Sequence, residues 1–216
     1  MHQLVDDLIE PTNVSEFKEF WLKKHPFLPD NFYDLDNIPF QNDFSPEEKK
    51  LIDGYDDGED DFGFFIMGDT GVGKTFVLQK LCIRFINSCI KHGASPAAFI
   101  RYYPLGILVQ KLRNFKGNDF DLCLNTRFLL LDDLGAEYAS EFSKELILTI
   151  LDTRLAKKYP TFITTNLSFD EIKAKYGERI SSRIKEMCLI IKLKGADRRN
   201  KIYQERTARI LARSRE

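Results

Sequence analysis

The sequence predicts an α/β chain: a parallel five-stranded sheet with helices on both faces, preceded by a small helical extension. Three observations carry this. From Phe62 onward short apolar runs alternate with amphipathic helical segments, the order that builds a parallel sheet covered on both sides. Gly68-Asp69-Thr70-Gly71-Val72-Gly73-Lys74-Thr75 matches G-x-x-x-x-G-K-[ST] and follows the apolar run Phe62–Met67. Phe128-Leu129-Leu130-Leu131 runs into Asp132-Asp133, so two carboxylates fall at the end of a buried strand, where open α/β sheets bind ligands.

At 216 residues, 43% hydrophobic and 30% charged, the chain suits one α/β domain with a modest appendage. No apolar run approaches the roughly 20 residues of a membrane span. Met1–Asp7 lacks a basic n-region, and the four cysteines show no C-x-x-C spacing. Reduced, mostly buried thiols in a cytoplasmic protein are therefore expected, and a zinc site is not. The net charge of −1 hides an asymmetry: residues 1–61 hold 17 Asp/Glu against 5 Lys/Arg, leaving 16 and 27 for the rest. An acidic arm on a basic body suggests two surfaces for two partners, or a solvated linker that keeps the protein soluble.

The boundaries expected are 1–61 for the acidic extension, 62–199 for the core and 200–216 for a basic tail. In the extension, Val14, Phe17, Phe20 and Trp21 form one stripe of a helix over 13–24, which either docks a partner or folds back on the body. Ser45-Pro46-Glu47-Glu48 reads as a helix start, with Ser as N-cap and Pro at the first helical position. In the core the strands are expected at 64–67, 97–102, 128–132, 162–165 and 188–193. Helices are expected at 74–91, 104–115, 142–157, 169–175 and 178–185, with a turn at 116–119.

The glycine-rich stretch carries the first chemistry. Its glycines turn backbone N–H groups inward around a polyphosphate, and the helix after it aims its positive end at the anion. Gly68 through Thr75, with Phe76 on the first turn, are thus the expected residues for binding a nucleoside triphosphate. Lys74 reaches the β- and γ-phosphates, and the Thr75 hydroxyl ligates Mg²⁺. Asp132 is expected to hold Mg²⁺ through water, and Asp133 to orient or deprotonate the attacking water. Asn166 ends the run Phe162–Thr165, either to sense the γ-phosphate or simply as a turn residue. Arg179 and Arg183, four apart beside Ile180 and Ile184, are either surface cations or a source of transition-state charge for a neighbouring subunit. Arg101-Tyr102-Tyr103, with Lys111 and Arg113 nearby, combines cations with stackable rings, as single-strand binders do; the alternative is that the tyrosines serve the core. Residues 192–216 hold 9 Lys/Arg against 3 Asp/Glu, with Arg206, Arg209 and Arg213 on one helical stripe.

Together these segments resemble the AAA+ ATPases, and within them the bacterial replicative helicase loaders (DnaC/DnaI type) and the related IstB-type transposition helper ATPases. The resemblance covers 62–199 and rests on residues 68–75, Leu129–Glu137, Ile163–Asn166, Glu178–Ile184 and Gly195–Arg199. It implies Arg183 as an arginine finger acting in trans, and Arg199, with Arg198 adjacent, near the nucleotide. It also implies ATP hydrolysis at oligomer interfaces, single-stranded DNA in the channel of a ring or spiral, and an N-terminal region that grips the hexameric helicase. The chain after Arg199 is too short for a full C-terminal lid, and the extension lacks the zinc-ligand spacing of some loaders. The expected function is an ATP-dependent helicase loader. The alternatives are a transposition helper on duplex DNA and a P-loop small-molecule kinase.

Overall fold

The computed structural model describes residues 44–114 and 118–197, together with Leu28, Phe32, Tyr203, Gln204, Thr207, Ala208, Ile210 and Leu211. The expected helix over 13–24, the pair Arg198 and Arg199, and the stripe Arg206, Arg209 and Arg213 lie outside the described residues.

A capping box opens the first helix, α1 (Pro46–Asp53): the Ser45 hydroxyl accepts from Glu48 N–H, and the Glu48 carboxylate accepts from Ser45 N–H. The core then alternates as β1 (Gly63–Gly68), α2 (Lys74–Lys91), α3 (Pro96–Phe99), β2 (Ile100–Pro104), α4 (Leu105–Arg113), α5 (Asp119–Asn125), β3 (Phe128–Leu134), α6 (Glu141–Lys157), β4 (Thr161–Thr165), α7 (Phe169–Tyr176), α8 (Glu178–Met187) and β5 (Cys188–Leu193). Every pairing is parallel, in the order β2-β3-β4-β1-β5. β4 thus lies between the strand that feeds the glycine-rich loop and the strand that ends in Asp132-Asp133, so all three deliver their C-terminal ends to one edge.

Side-chain alternation sorts the core into two halves. Phe64, Ile66, Phe128, Leu130 and Phe162 pack with Leu78, Leu81 and Phe85 of α2. Phe65, Leu129, Leu131 and Ile163 pack with Leu108 of α4, Ile150 and Leu151 of α6, and Ile184 of α8. Phe85 stacks on Phe128, with ring centroids 4.5 Å apart. The α2 side also takes in Leu28, Phe32, Ile52 and Tyr55, so the core continues into the segment before Phe62. Arg84 donates to the carbonyls of Ile52 and Tyr55, and Glu48 accepts from Lys192 N–H on the edge strand β5.

A cation lies fully enclosed in this core. Arg154 on α6 is 0% exposed, and no carboxylate among the described residues pairs with it. Its guanidinium donates to the carbonyls of Cys123, Thr126, Arg127 and Pro160 and to the Thr161 hydroxyl, at 2.7–2.8 Å. Burial pulls its pKa down to about 9, which leaves it charged at neutral pH. Arg154 therefore clamps the chain entering β3 to the chain entering β4.

Several boundaries differ from expectation. α3 occupies residues expected to begin the second strand, and β2 starts at Ile100; Pro96 stands at the first helical position of α3, where its missing N–H costs nothing. α5 follows the expected turn, with Asp119 and Asp121 in its first turn. β3 runs on past Asp132 to Leu134. Cys82, Cys123 and Cys188 are buried free thiols and Cys89 is half-buried; burial pushes Cys123 up to about 12 and Cys89 to about 11. Among the described residues no helix is long and apolar enough to cross a membrane.

Candidate nucleotide site and finger helix

The loop from Gly68 to Gly73 turns the chain from β1 into α2. Gly71 (φ 84°) and Gly73 (φ 103°) hold left-handed conformations that side-chain-bearing residues rarely adopt. Gly73 caps α2 without a side-chain oxygen, and no acid stands in the first turn. The positive end of an 18-residue helix therefore faces the loop with no acid of its own first turn against it, an arrangement that favours an anion there.

Lys74 is buried, and its ammonium is led back to the loop by the carbonyls of Gly68 and Asp69, each at 2.8 Å. Its third bond goes to Asn166 Oδ1 at 2.5 Å. The Asn166 amide nitrogen in turn donates to Asp133 Oδ1 at 3.0 Å. A continuous chain of polar atoms thus joins Lys74, Asn166 and Asp133 across three elements. Asp133 sits in the left-handed region (φ 63°), where its N–H donates to the Thr164 hydroxyl at 2.8 Å. This fixes the direction of its carboxylate.

Asp132 points the other way and is only 7% exposed. Three hydroxyls donate to it: Thr75 Oγ1 at 3.1 Å, Thr164 Oγ1, and Tyr102 at 2.8 Å. Because Thr75 gives its proton to Asp132, its lone pairs remain for a cation. One hydroxyl and one carboxylate oxygen side by side make a hard-oxygen site of the kind Mg²⁺ uses with phosphate oxygens and water. These residues fit that ion. Burial, and then the Asp132 charge, raise the Tyr102 phenol well above its usual range, so it remains a donor.

The structure brings together Lys74, Thr75, Asp132, Asp133 and Asn166. It adds Thr164 and Tyr102, which sequence reasoning did not assign to the site. The signal for Thr164 was its place two residues before Asn166; for Tyr102 it was the β2–β3 register, which puts Tyr102 beside Leu130. The expectation that Tyr102 and Tyr103 offer rings to bases is corrected: they are 1% and 3% exposed, and Tyr103 donates to Asp119 at 2.7 Å. Arg101 is half-buried and bonds the carbonyls of Ala97 and Ile100. Lys111 pairs with Asp119 at 3.6 Å, and Arg113 donates to Ser140 Oγ at 3.2 Å.

The chain after β5 returns to the loop. A Cβ added at Gly71 would lie 1.9 Å from Asp197 Oδ1, so the Asp197 carboxylate rests against the glycine. Beyond β3, the buried Glu137 accepts from Gly135 N–H at 3.1 Å and from the Tyr176 hydroxyl, while Lys175 donates to the Gly135 carbonyl. The turn after the two acids is thereby tied to α7, which leads into α8. On α8, Arg179 and Arg183 bond Asp152 of α6 rather than any described loop residue.

Comparisons with known proteins bear on the fold and the family. The replicative helicase loader DnaI of Bacillus subtilis (strain 168) is 30% identical over 156 residues, covering 64% of this chain and 48% of that protein. The replicative helicase loader DnaC of Escherichia coli (strain K12) is 26% identical over 125 residues, covering 56% and 49%. The chain thus spans about half the length of the curated relatives it matches. A crystal structure of the DnaC helicase loader superimposes with a TM-score of 0.61 at 23% identity, covering 77% of this chain and 100% of that one. The replication initiator DnaA bound to AMPPCP and single-stranded DNA superimposes with a TM-score of 0.58 at 18% identity, covering 79% and 52%. The fold is the P-loop AAA+ fold. The model of the IstB-like ATP binding proteins matches residues 31–206, and the chain belongs to that family.

Proposed function

We propose that this protein is an ATP-dependent loader of the hexameric replicative DNA helicase, one that binds ATP, Mg²⁺ and single-stranded DNA and works as a ring or spiral. The observation that carries the ATPase half is the chain Lys74–Asn166–Asp133 beside the Thr75–Asp132 pair. Lys74, with the N–H groups of Gly71 through Phe76, orients the phosphates. Asp133 accepts a proton from the attacking water, and Asn166 holds that water between Asp133 and the γ-phosphate. Thr75 and Asp132 would hold Mg²⁺, which would supply charge neutralisation on the phosphates. Arg183 completes a neighbour's site in trans, and Arg199 or the adjacent Arg198 takes the role of the arginine near the nucleotide that the family resemblance implies.

Helicase recognition is the role of residues 1–61, whose acidic character sets them apart from the basic body. Because Leu28 and Phe32 belong to the core, the docking portion lies before Leu28. With Tyr102 and Tyr103 enclosed, single-stranded DNA falls to Lys111 and Arg113 at the end of α4 and to the basic tail. The likeness to DnaI and DnaC favours a helicase partner. The matched family supports a second reading, a transposition helper on duplex DNA. A pull-down with tagged full-length protein, ATP and each candidate decides: recovery of a hexameric helicase supports loading, and recovery of a transposase alone overturns it.

A further inference from the structure

Asp152, near the C-terminal end of α6, belongs to none of the motifs above. Its two oxygens take one arginine each from α8: Oδ1 accepts from Arg183 Nε at 2.6 Å, and Oδ2 from Arg179 Nη2 at 3.3 Å. Arg183 is fastened a second time, through Nη1 to Glu186 Oε2 at 2.9 Å. Arg179 has a single bond and a side chain 72% exposed, whereas the Arg183 side chain is 36% exposed.

A guanidinium is planar and rigid, so two bonds at adjacent edges set its orientation. Carboxylates at Nε and Nη1 leave Nη2 of Arg183 without a partner among the described residues. The two acids thus hold the guanidinium at two of its nitrogens and leave the third, Nη2, for a further acceptor. Flanking acids of this kind also lower the entropy lost when a flexible side chain docks on a phosphate. Asp152 sits on α6, whose start follows the turn after Asp133, so the finger is held by an element anchored to its own subunit's acidic strand.

We infer that Asp152, assisted by Glu186, is a positioning residue that orients the Arg183 guanidinium for the γ-phosphate bound by the neighbouring subunit. The inference rests on the reading of Arg183 as a trans-acting finger. It also assigns that role to Arg183 over Arg179, because only Arg183 is fixed at two points.

The test is subunit mixing with the full chain. Asp152→Ala should lower hydrolysis about 10²-fold, the scale expected when a transition-state group is misplaced by about an ångström, with ATP affinity and melting temperature little changed. Lys74→Ala subunits cannot hydrolyse but keep an intact finger. Mixing them with Asp152→Ala should restore activity, whereas mixing Asp152→Ala with Arg183→Ala should not. Asp152→Asn, which keeps the shape but cannot serve both arginines as a carboxylate, should show the same polarity if the alanine variant folds poorly. Wild-type hydrolysis by both Asp152 variants overturns the inference. So does failure of Lys74→Ala to rescue Asp152→Ala when it does rescue Arg183→Ala. If Arg183→Ala is itself not rescued by Lys74→Ala, the trans-finger reading falls, and this inference with it.

Discussion

Replacing Arg154 with methionine tests whether one buried cation sets the strand arrangement on which the site depends. Methionine fills the volume of the arginine stem but donates nothing, so the carbonyls of Cys123, Thr126 and Arg127 lose the guanidinium, while the Pro160 carbonyl keeps the Leu129 N–H at 3.3 Å. Thr161 Oγ1 keeps an outlet, since it also donates to the Tyr159 carbonyl at 3.2 Å. Each stranded buried carbonyl costs about 1–3 kcal/mol. Relief of the guanidinium's own desolvation offsets part of that total, and local rearrangement offsets more. A net loss of about 3–5 kcal/mol remains, a large share of the 5–15 kcal/mol typical of a whole domain. At a urea dependence of about 2 kcal/mol per molar, the unfolding midpoint should fall by about 2 M. Arg154→Lys keeps the charge and three donors, so its midpoint should lie between those of the methionine variant and the native chain. A midpoint for Arg154→Met indistinguishable from the native one would refute the reasoning.

The remaining predictions concern the site. Asn166→Ala should reduce ATP hydrolysis about 10²-fold in a steady-state phosphate-release assay. Nucleotide affinity should move only a few-fold, because Lys74 keeps its two carbonyl bonds. Tyr102→Phe strips Asp132 Oδ2 of a buried donor at 2.8 Å; melting in the absence of nucleotide should reveal a loss of about 1–3 kcal/mol, and an unchanged melt would mean the hydroxyl is idle. Thr75→Val should abolish the Mg²⁺-dependence of ATP affinity, measured by titration with and without the ion, while leaving metal-free binding intact. Single-strand binding should weaken steeply as salt rises, and Lys111→Ala with Arg113→Ala should flatten that slope by about one phosphate contact each; a salt-independent affinity would remove the electrostatic account.

Much of the architecture was legible because its signals are local. Ser45-Pro46-Glu47-Glu48 announced α1 through its own capping bonds, and the apolar run Phe128–Leu131 declared a strand buried on both faces. The glycine spacing around Gly71 and Gly73 likewise fixes a backbone shape that needs no tertiary context. What escaped were contacts set by register and packing. Tyr102 and Tyr103 look the same in sequence whether they stack on bases or support Asp132 and Asp119, and only the pairing of β2 with β3 decides. Arg154 lies amid charged neighbours and reads as surface, since its partners are carbonyls of distant turns rather than acids at helical spacing. Asp152 was silent for the same reason: its two arginines are 27 and 31 residues away. α5 was missed because Asn118 gives no side-chain cap and the helix is only seven residues long.

The central claim, that ATP hydrolysis here serves to place a hexameric helicase on single-stranded DNA, is tested most directly on closed circles. A circle without ends admits a ring only if the ring is opened, so helicase retained on circular single-stranded DNA after a salt wash counts loading events. The native protein with ATP should produce retained helicase. Lys74→Ala should not, and a protein lacking residues 1–27, which keeps Leu28 and Phe32 in the core, should hydrolyse ATP yet load nothing. Helicase retained equally with and without this protein, or a protein that coats duplex circles and ignores the helicase, would contradict the account.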